Sequence, residues 1–267
     1  MDMKYVQTTC PYCGTGCTFN LVVKDGKAVG TAPYQRSPVN EGKVCPKGTY
    51  AHEFIHSPDR LTKPLIKKDG KFVEAGWDEA LDLIAKKFKQ YKPDECACLS
   101  SARVSNEENY AMMKFARGVM KTRHIDHCAR LCHASTVAGL AATFGSGAMT
   151  NSIGDIAQSK CCFILGSNTF EQHPLIGRRV MQAKMNGAKI IYADPRFTPT
   201  AKQADLYMQF RSGSDVAILN GMMQEILKNG WEDKEFIEKR TKDFDKLKEV
   251  VMKPEYSLEN VSKISGI

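Results

Sequence analysis

Cys10-Pro-Tyr-Cys13-Gly-Thr-Gly-Cys17 puts three thiols on one short loop, and Cys45-Pro-Lys47-Gly returns a fourth 28 residues later. Four soft ligands suit an iron–sulfur cluster or a structural zinc, with uncoordinated thiols as a third possibility. A zinc knuckle draws on two short cysteine pairs. Here three ligands share a loop and the fourth arrives alone beside Pro46, a spacing that favours the cluster. Gly14 and Gly16 let the backbone turn back over a metal with amides free to hydrogen-bond sulfide. Lys47, two residues beyond the last thiol, is either a plain surface lysine or a cation held between the cluster and a second redox group.

A second chemistry-bearing stretch is Asp126-His-Cys-Ala-Arg-Leu-Cys132-His133. Cys132 beside His133 at a helix start could be a nucleophile of lowered pKa, a metal ligand or a buried thiol. Further on, Gly166-Ser-Asn168 ends a strand where backbone can closely approach a phosphate. The helix opening near Pro174 offers unpaired amides to an anion. Asp194 lies at the end of the next strand, 28 residues after Gly166. By itself a strand–glycine–helix unit is more often architecture than site. Cys128 could support the Cys132 site. Cys96, Cys98, Cys161 and Cys162 read as buried structural thiols, the methionines as core filling, and His173 as a cofactor contact or a cap.

Taken together, the cysteine loop, the Cys132-His133 pair and the GSN and ADPRFTPTA segments resemble the molybdenum- or tungsten-containing bis-molybdopterin guanine dinucleotide (bis-MGD) oxidoreductases, and among them the catalytic subunits of formate dehydrogenase. The resemblance runs over essentially the whole chain. It implies that Cys10, Cys13, Cys17 and Cys45 hold a [4Fe-4S] cluster and that Lys47 lies between cluster and pterin. It implies that Cys132 binds molybdenum or tungsten and that His133 is the adjacent catalytic histidine. Gly166, Asn168, Asp194, Arg196, Thr198, Gly213 and Asp215 then line the bis-MGD pocket. Related nitrate reductases carry Met after the cysteine ligand, so His133 argues for formate as substrate. The likeness is strongest to archaeal subunits whose flavin- and iron–sulfur-bearing beta partner reduces coenzyme F420, some of which join heterodisulfide reductase assemblies. NAD-linked enzymes are the runner-up, and a non-catalytic iron–sulfur electron-transfer fragment is the alternative of another class. Catalytic subunits of this family are well over twice as long as these 267 residues, so the chain is expected to lack segments that complete the cofactor cavity.

The elements that must position these residues follow from pattern. Asp25-Gly26 and KKDGKFVEAGW read as hairpins, and Asp78 as the cap of a helix ended by Pro93. CACLSS reads as a short buried strand, Asn106 to Met120 as a helix, and 126–144 as a loop entering a Gly/Ala-rich helix that packs closely. CCFILGSN, the helix from Pro174 to Gly187, and AKIIYADP form a βαβ unit. DLYMQFRSGSD supplies a third strand and VAILNGMMQEILKNG a helix stopped at Asn229-Gly230. The expected architecture is α/β: a small N-terminal iron–sulfur domain (1–60), then α/β domains (61–127 and 128–267) with a parallel nucleotide-binding-type sheet.

Composition narrows the function classes. Thirty-eight basic against 30 acidic residues give +8, but the basic residues are dispersed and lack interleaved aromatics, so nucleic acid is not expected as a partner. The uncharged run 131–154 holds too many small polar residues for lipid. No export signal opens the sequence, so a cytoplasmic, reducing address is expected, where clustered cysteines are ligands rather than disulfides.

Overall fold

The structure, a computed structural model, describes residues 2–267 and divides the chain into two compact units, one reaching to Ser152 and the other Ile153–Ile267. The first begins with an antiparallel sheet, order β1-β2-β3, of β1 (Met3–Thr9), β2 (Thr18–Lys24) and β3 (Lys27–Pro33). Asp25 and Gly26 both take positive φ, 49° and 78°, the two-residue turn whose twist matches a hairpin, as their types predict. β1 had no sequence signal of its own. Its outer residues Met3, Tyr5 and Val6 are exposed, and it is held by pairing along its whole length, Tyr5 opposite Val22. The short helix α1 (Pro46–Thr49) follows the return loop.

The second expected hairpin is present as β4 (Leu65–Lys68) and β5 (Lys71–Glu74) around Asp69-Gly70. α2 (Trp77–Phe88) starts one residue before the expected cap. Gly76 is the N-cap, and Asp78 sits in the first turn with Glu79, where carboxylates favour the positive helix end without capping it. β6 (Cys98–Ser100) pairs in parallel with β7 (Ile125–His127). Their crossover is α3 (Asn106–Lys114), opened by a Ser105/Glu108 capping box and continued by a π-turn at Phe115–Val119 rather than one uniform helix to Met120. β6 is not the buried strand expected: Leu99 is 80% exposed and Cys96 and Cys98 are half-buried, because a two-stranded sheet leaves one face uncovered. After β7 come α4 (Ala129–Cys132) and α5 (Ala134–Phe144). The close packing expected of the Gly/Ala-rich α5 is not found, since it buries none of its residues.

The second unit carries the three-stranded parallel sheet that the βαβ pattern predicts, β8 (Cys161–Leu165), β9 (Lys189–Ala193) and β10 (Leu206–Met208), with β9 in the centre. α6 (Thr169–Gln172) and α7 (Pro174–Met185) connect β8 to β9; Pro174 opens α7, and Gly187, at φ 95°, ends the turn after it. Beyond β10 lie α8 (Asp215–Lys228), α9 (Lys234–Arg240), α10 (Phe244–Val251) and α11 (Leu258–Ser265). Two small cores form around the sheet, Cys162, Val180, Ala183, Ala188 and Ile190, and Ala193, Phe210, Ile218 and Val261. Strand alternation buries Cys162 but turns Cys161 to solvent, so of the four thiols expected in the core one is there. Met3, Met113, Met149, Met185 and Met252 are exposed, contrary to a core-filling role. Among the described residues no helix is long and apolar enough to cross a membrane.

Candidate metal and cofactor sites

β1 ends at Thr9 and delivers Cys10 into the thiol loop, which closes when the Cys10 N–H donates to the Cys17 carbonyl at 2.8 Å. Gly16 takes φ +71°, a conformation that would strain a side chain, and the Cys13 thiol donates to Thr15 Oγ1 at 3.3 Å. The return loop is tied down by one residue. Asn40, 1% exposed, accepts from the Thr18 N–H (2.9 Å) and from Ser37 Oγ (2.5 Å) through Oδ1, and donates to the carbonyls of Thr18 (3.0 Å) and Lys43 (2.7 Å) through Nδ2. Asn40 thereby locks the residue after Cys17 to the segment before Cys45. Cys45 is the N-cap of α1, and Gly48 in that helix is close enough that a Cβ would stand 3.7 Å from Cys10 Sγ.

The four thiols feel one another. Burial first, and then the neighbouring Cys10, Cys13 and Cys45, raise the Cys17 thiol to about 11. Cys10 is raised chiefly by burial and by Cys45 and Cys13, against the lowering effects of the Tyr12 N–H and the Lys47 charge. Thiols gathered this way are costly to ionise without a cation among them. Yet among the described residues no three His, Cys, Asp or Glu side chains converge closely enough for a single ion. Tetrahedral zinc, with Zn–S near 2.3 Å, would draw its sulfurs to about 3.8 Å of each other. Four thiols, three on one loop and the fourth on a return loop, are a donor set for a [4Fe-4S] cluster, in which each iron takes one thiolate.

Cys132 ends α4, directly beyond the carboxyl end of β7. Its thiol is exposed and makes no hydrogen bond among the described residues, and Leu131 beside it is 95% exposed. His133 breaks the helix between α4 and α5 at φ −148°, ψ 26°. The loop feeding this pair is rigidly bonded. The His127 N–H donates to Asp126 Oδ1 at 2.8 Å, the Ala129 N–H to His127 Nδ1 at 3.0 Å, and Arg130 Nε to Asp126 Oδ2 at 2.8 Å. Arg130, with the His127 N–H, holds the Asp126 carboxyl below its ordinary range. The Cys128 thiol accepts the Ala102 N–H at 3.2 Å, and the neighbouring Arg103 guanidinium donates to the Tyr12 carbonyl inside the thiol loop. Within this unit the 101–103 turn therefore joins the thiol loop to the segment that carries Cys132.

In the second unit the expected pocket residues follow the carboxyl ends of parallel strands, where α/β sheets bind ligands. Gly166 leaves β8 at φ +63°, its N–H donating to the Ala193 carbonyl at 2.9 Å. Asp194 leaves β9 and is 5% exposed; Oδ1 accepts the Arg196 N–H at 2.7 Å. Asn168 is turned inward, accepting from Thr200 Oγ1 at 3.2 Å and donating to Glu171, and Thr198 donates to the buried Tyr192 hydroxyl at 2.9 Å. These two brace the loops. Arg196 and Gly213 are exposed, and Asp215 opens α8. His173 Nδ1 is buried without a partner at the start of α7. An orphaned polar atom beside this rim of polar loops fits a polar cofactor such as a guanine dinucleotide pterin. Asn40 and Arg103 had no reading from sequence, because their roles are hydrogen bonds to residues 22 and 91 positions away.

The family model for the molybdopterin oxidoreductase Fe4S4 domain matches residues 3–57, and that for molybdopterin oxidoreductase matches 60–255. The chain is 57% identical over its full length to the F420-dependent formate dehydrogenase 1 subunit alpha of Methanococcus maripaludis, and 59% identical to the corresponding subunit 2 alpha. It spans 39% of the length of each. Acetylene hydratase from Pelobacter acetylenicus superposes with a TM-score of 0.79 at 28% identity, over 97% of this chain and 36% of that one. The two family matches support a [4Fe-4S] cluster and a molybdenum or tungsten pterin as cofactors.

Proposed function

The chain belongs to the molybdopterin oxidoreductase family, and from that premise we propose that it is the cluster-bearing and pterin-binding portion of a formate dehydrogenase catalytic subunit. The observation that carries this reading is identity of 57% and 59% to two F420-dependent formate dehydrogenase alpha subunits across the whole chain. The likeness to acetylene hydratase, at 28% identity, supports the fold and not the reaction.

On this reading Cys10, Cys13, Cys17 and Cys45 hold the cluster. Cys132 binds molybdenum or tungsten, for which an exposed thiol at the carboxyl end of a parallel strand is suitably open. Gly166, Asn168, Asp194, Arg196, Thr198, Gly213 and Asp215 form or brace the bis-MGD pocket. When bound, the metal and pterins accept the two electrons released as formate becomes carbon dioxide and a proton, and the cluster carries electrons onward singly. His133 takes that proton on an imidazole nitrogen, as a general base beside the metal-binding thiol. Lys47 adds positive charge beside the cluster, as its lowering effect on Cys10 indicates. The acceptor is a flavin- and iron–sulfur-bearing subunit that reduces F420, in the cytoplasm, with a heterodisulfide reductase complex as a further electron sink.

The test is an anaerobic assay of the full-length subunit with its partner, offered formate with F420 or NAD, and separately a reduced dye with nitrate. Reduction of F420 by formate is expected. Formate-dependent reduction of NAD alone would replace the acceptor, and nitrate reduction without formate oxidation would overturn the substrate.

A further inference from the structure

We propose that Arg103 is a second cation of the cluster loop and raises the cluster's reduction potential, a role that rests on Cys10, Cys13, Cys17 and Cys45 being its ligands. Arg103 follows β6, far from the cysteine motif in sequence, yet its Nη1 donates to the carbonyl of Tyr12, between Cys10 and Cys13. Tyr12 lies between two of the four thiols, in the loop closed by the Cys10 N–H on the Cys17 carbonyl. The guanidinium therefore grips the main chain next to the ligand set, and its charge is held there by a charge-assisted hydrogen bond.

The anchoring of its backbone makes this more than an incidental surface contact. The Arg103 N–H donates to Ser101 Oγ at 3.1 Å, and the preceding Ala102 N–H donates to Cys128 Sγ at 3.2 Å. The turn is thus fixed on one side to the segment leading to Cys132 and on the other, through the guanidinium, to the thiol loop. Lys47 flanks the loop from a different segment, α1. Four thiolates give a cluster net negative charge, and each added electron increases it. A guanidinium, which stays protonated at any physiological pH, stabilises the reduced form more than the oxidised one. Lysine would keep the charge and one donor, whereas glutamine would keep a donor and lose the charge.

The test is an EPR-monitored redox titration, with chemical mediators, of full-length wild type, Arg103→Lys and Arg103→Gln, alongside iron per chain and thermal stability. At the wild-type midpoint the ratio of reduced to oxidised cluster should fall about threefold or more in Arg103→Gln and stay within about twofold of wild type in Arg103→Lys, with iron unchanged in both. A glutamine variant that titrates with wild type, or a lysine variant that falls as far as glutamine, overturns the proposal. Loss of iron or of stability without a shift in the ratio assigns Arg103 a purely structural role and also overturns it. Wild type without cluster iron would instead refute the ligand assignment, so the two failures are told apart.

Discussion

Replacing Asn40 by Ala should release the return loop and cost the protein its cluster. The side chain is 1% exposed and makes four hydrogen bonds that join the residue after Cys17 to the loop before Cys45. At about 1 kcal/mol net per bond the sum is about 4 kcal/mol, reduced to roughly 2–4 kcal/mol because an opened loop regains water. In a unit of this size that corresponds to a fall in Tm on the order of 5–15 °C. Asn40→Asp keeps the acceptor for Thr18 and Ser37 but loses both donated bonds and faces a carboxylate toward the Thr18 and Lys43 carbonyls, so it should fare no better. The assay is iron and acid-labile sulfide per chain after anaerobic purification, with melting followed by circular dichroism. Both variants should retain well under half the wild-type iron and melt lower. Wild-type iron with a Tm within about 2 °C would refute the argument that this side chain organises the site.

Three further perturbations probe other parts of the molecule. In the metal-free protein Cys17 keeps its proton up to about pH 11, above the ordinary 9.0, so between those values the folded chain holds a proton that the unfolded chain has lost. Anaerobic melts should show Tm steady below pH 9 and falling from 9 to 11 in the metal-free form; the cluster-loaded form, whose thiols are already ionised as ligands, should lack this loss. Gly177→Ala places a Cβ 3.2 Å from both the Cα and a ring carbon of Phe170, so α6 must shift. A net loss of about 1 kcal/mol is expected in denaturant titration, whereas Gly139→Ala in α5, with open space around it, should gain up to about 1 kcal/mol from helix propensity.

The legible parts of the molecule were those written locally. Asp25-Gly26 and Asp69-Gly70 demand positive φ and produce hairpins, and Pro174 with Gly187 brackets α7. The β8–α7–β9 unit follows from its alternation of apolar runs and helical spacing, and it delivers Gly166 and Asp194 to the strand ends. Burial was less legible. α2 has the apolar spacing of a packed helix, yet Ala80 is its one buried residue, and α5 and Leu99 are likewise uncovered, because hydrophobic pattern reports what a face can bury and not what lies against it. Long-range brackets left no local trace. Asn40 sits in a Pro- and Gly-rich turn where its type is ordinary, and Arg103 is one basic residue among many.

The most direct measurement of the central claim is formate oxidation by full-length Cys132→Ala with the cluster's EPR signal recorded on the same sample. Turnover should fall by at least about a thousandfold, as expected when a group acting at the reacting centre is removed, and molybdenum or tungsten should be lost or altered while the cluster signal matches wild type. Turnover near the wild-type rate with an intact cluster would contradict that claim.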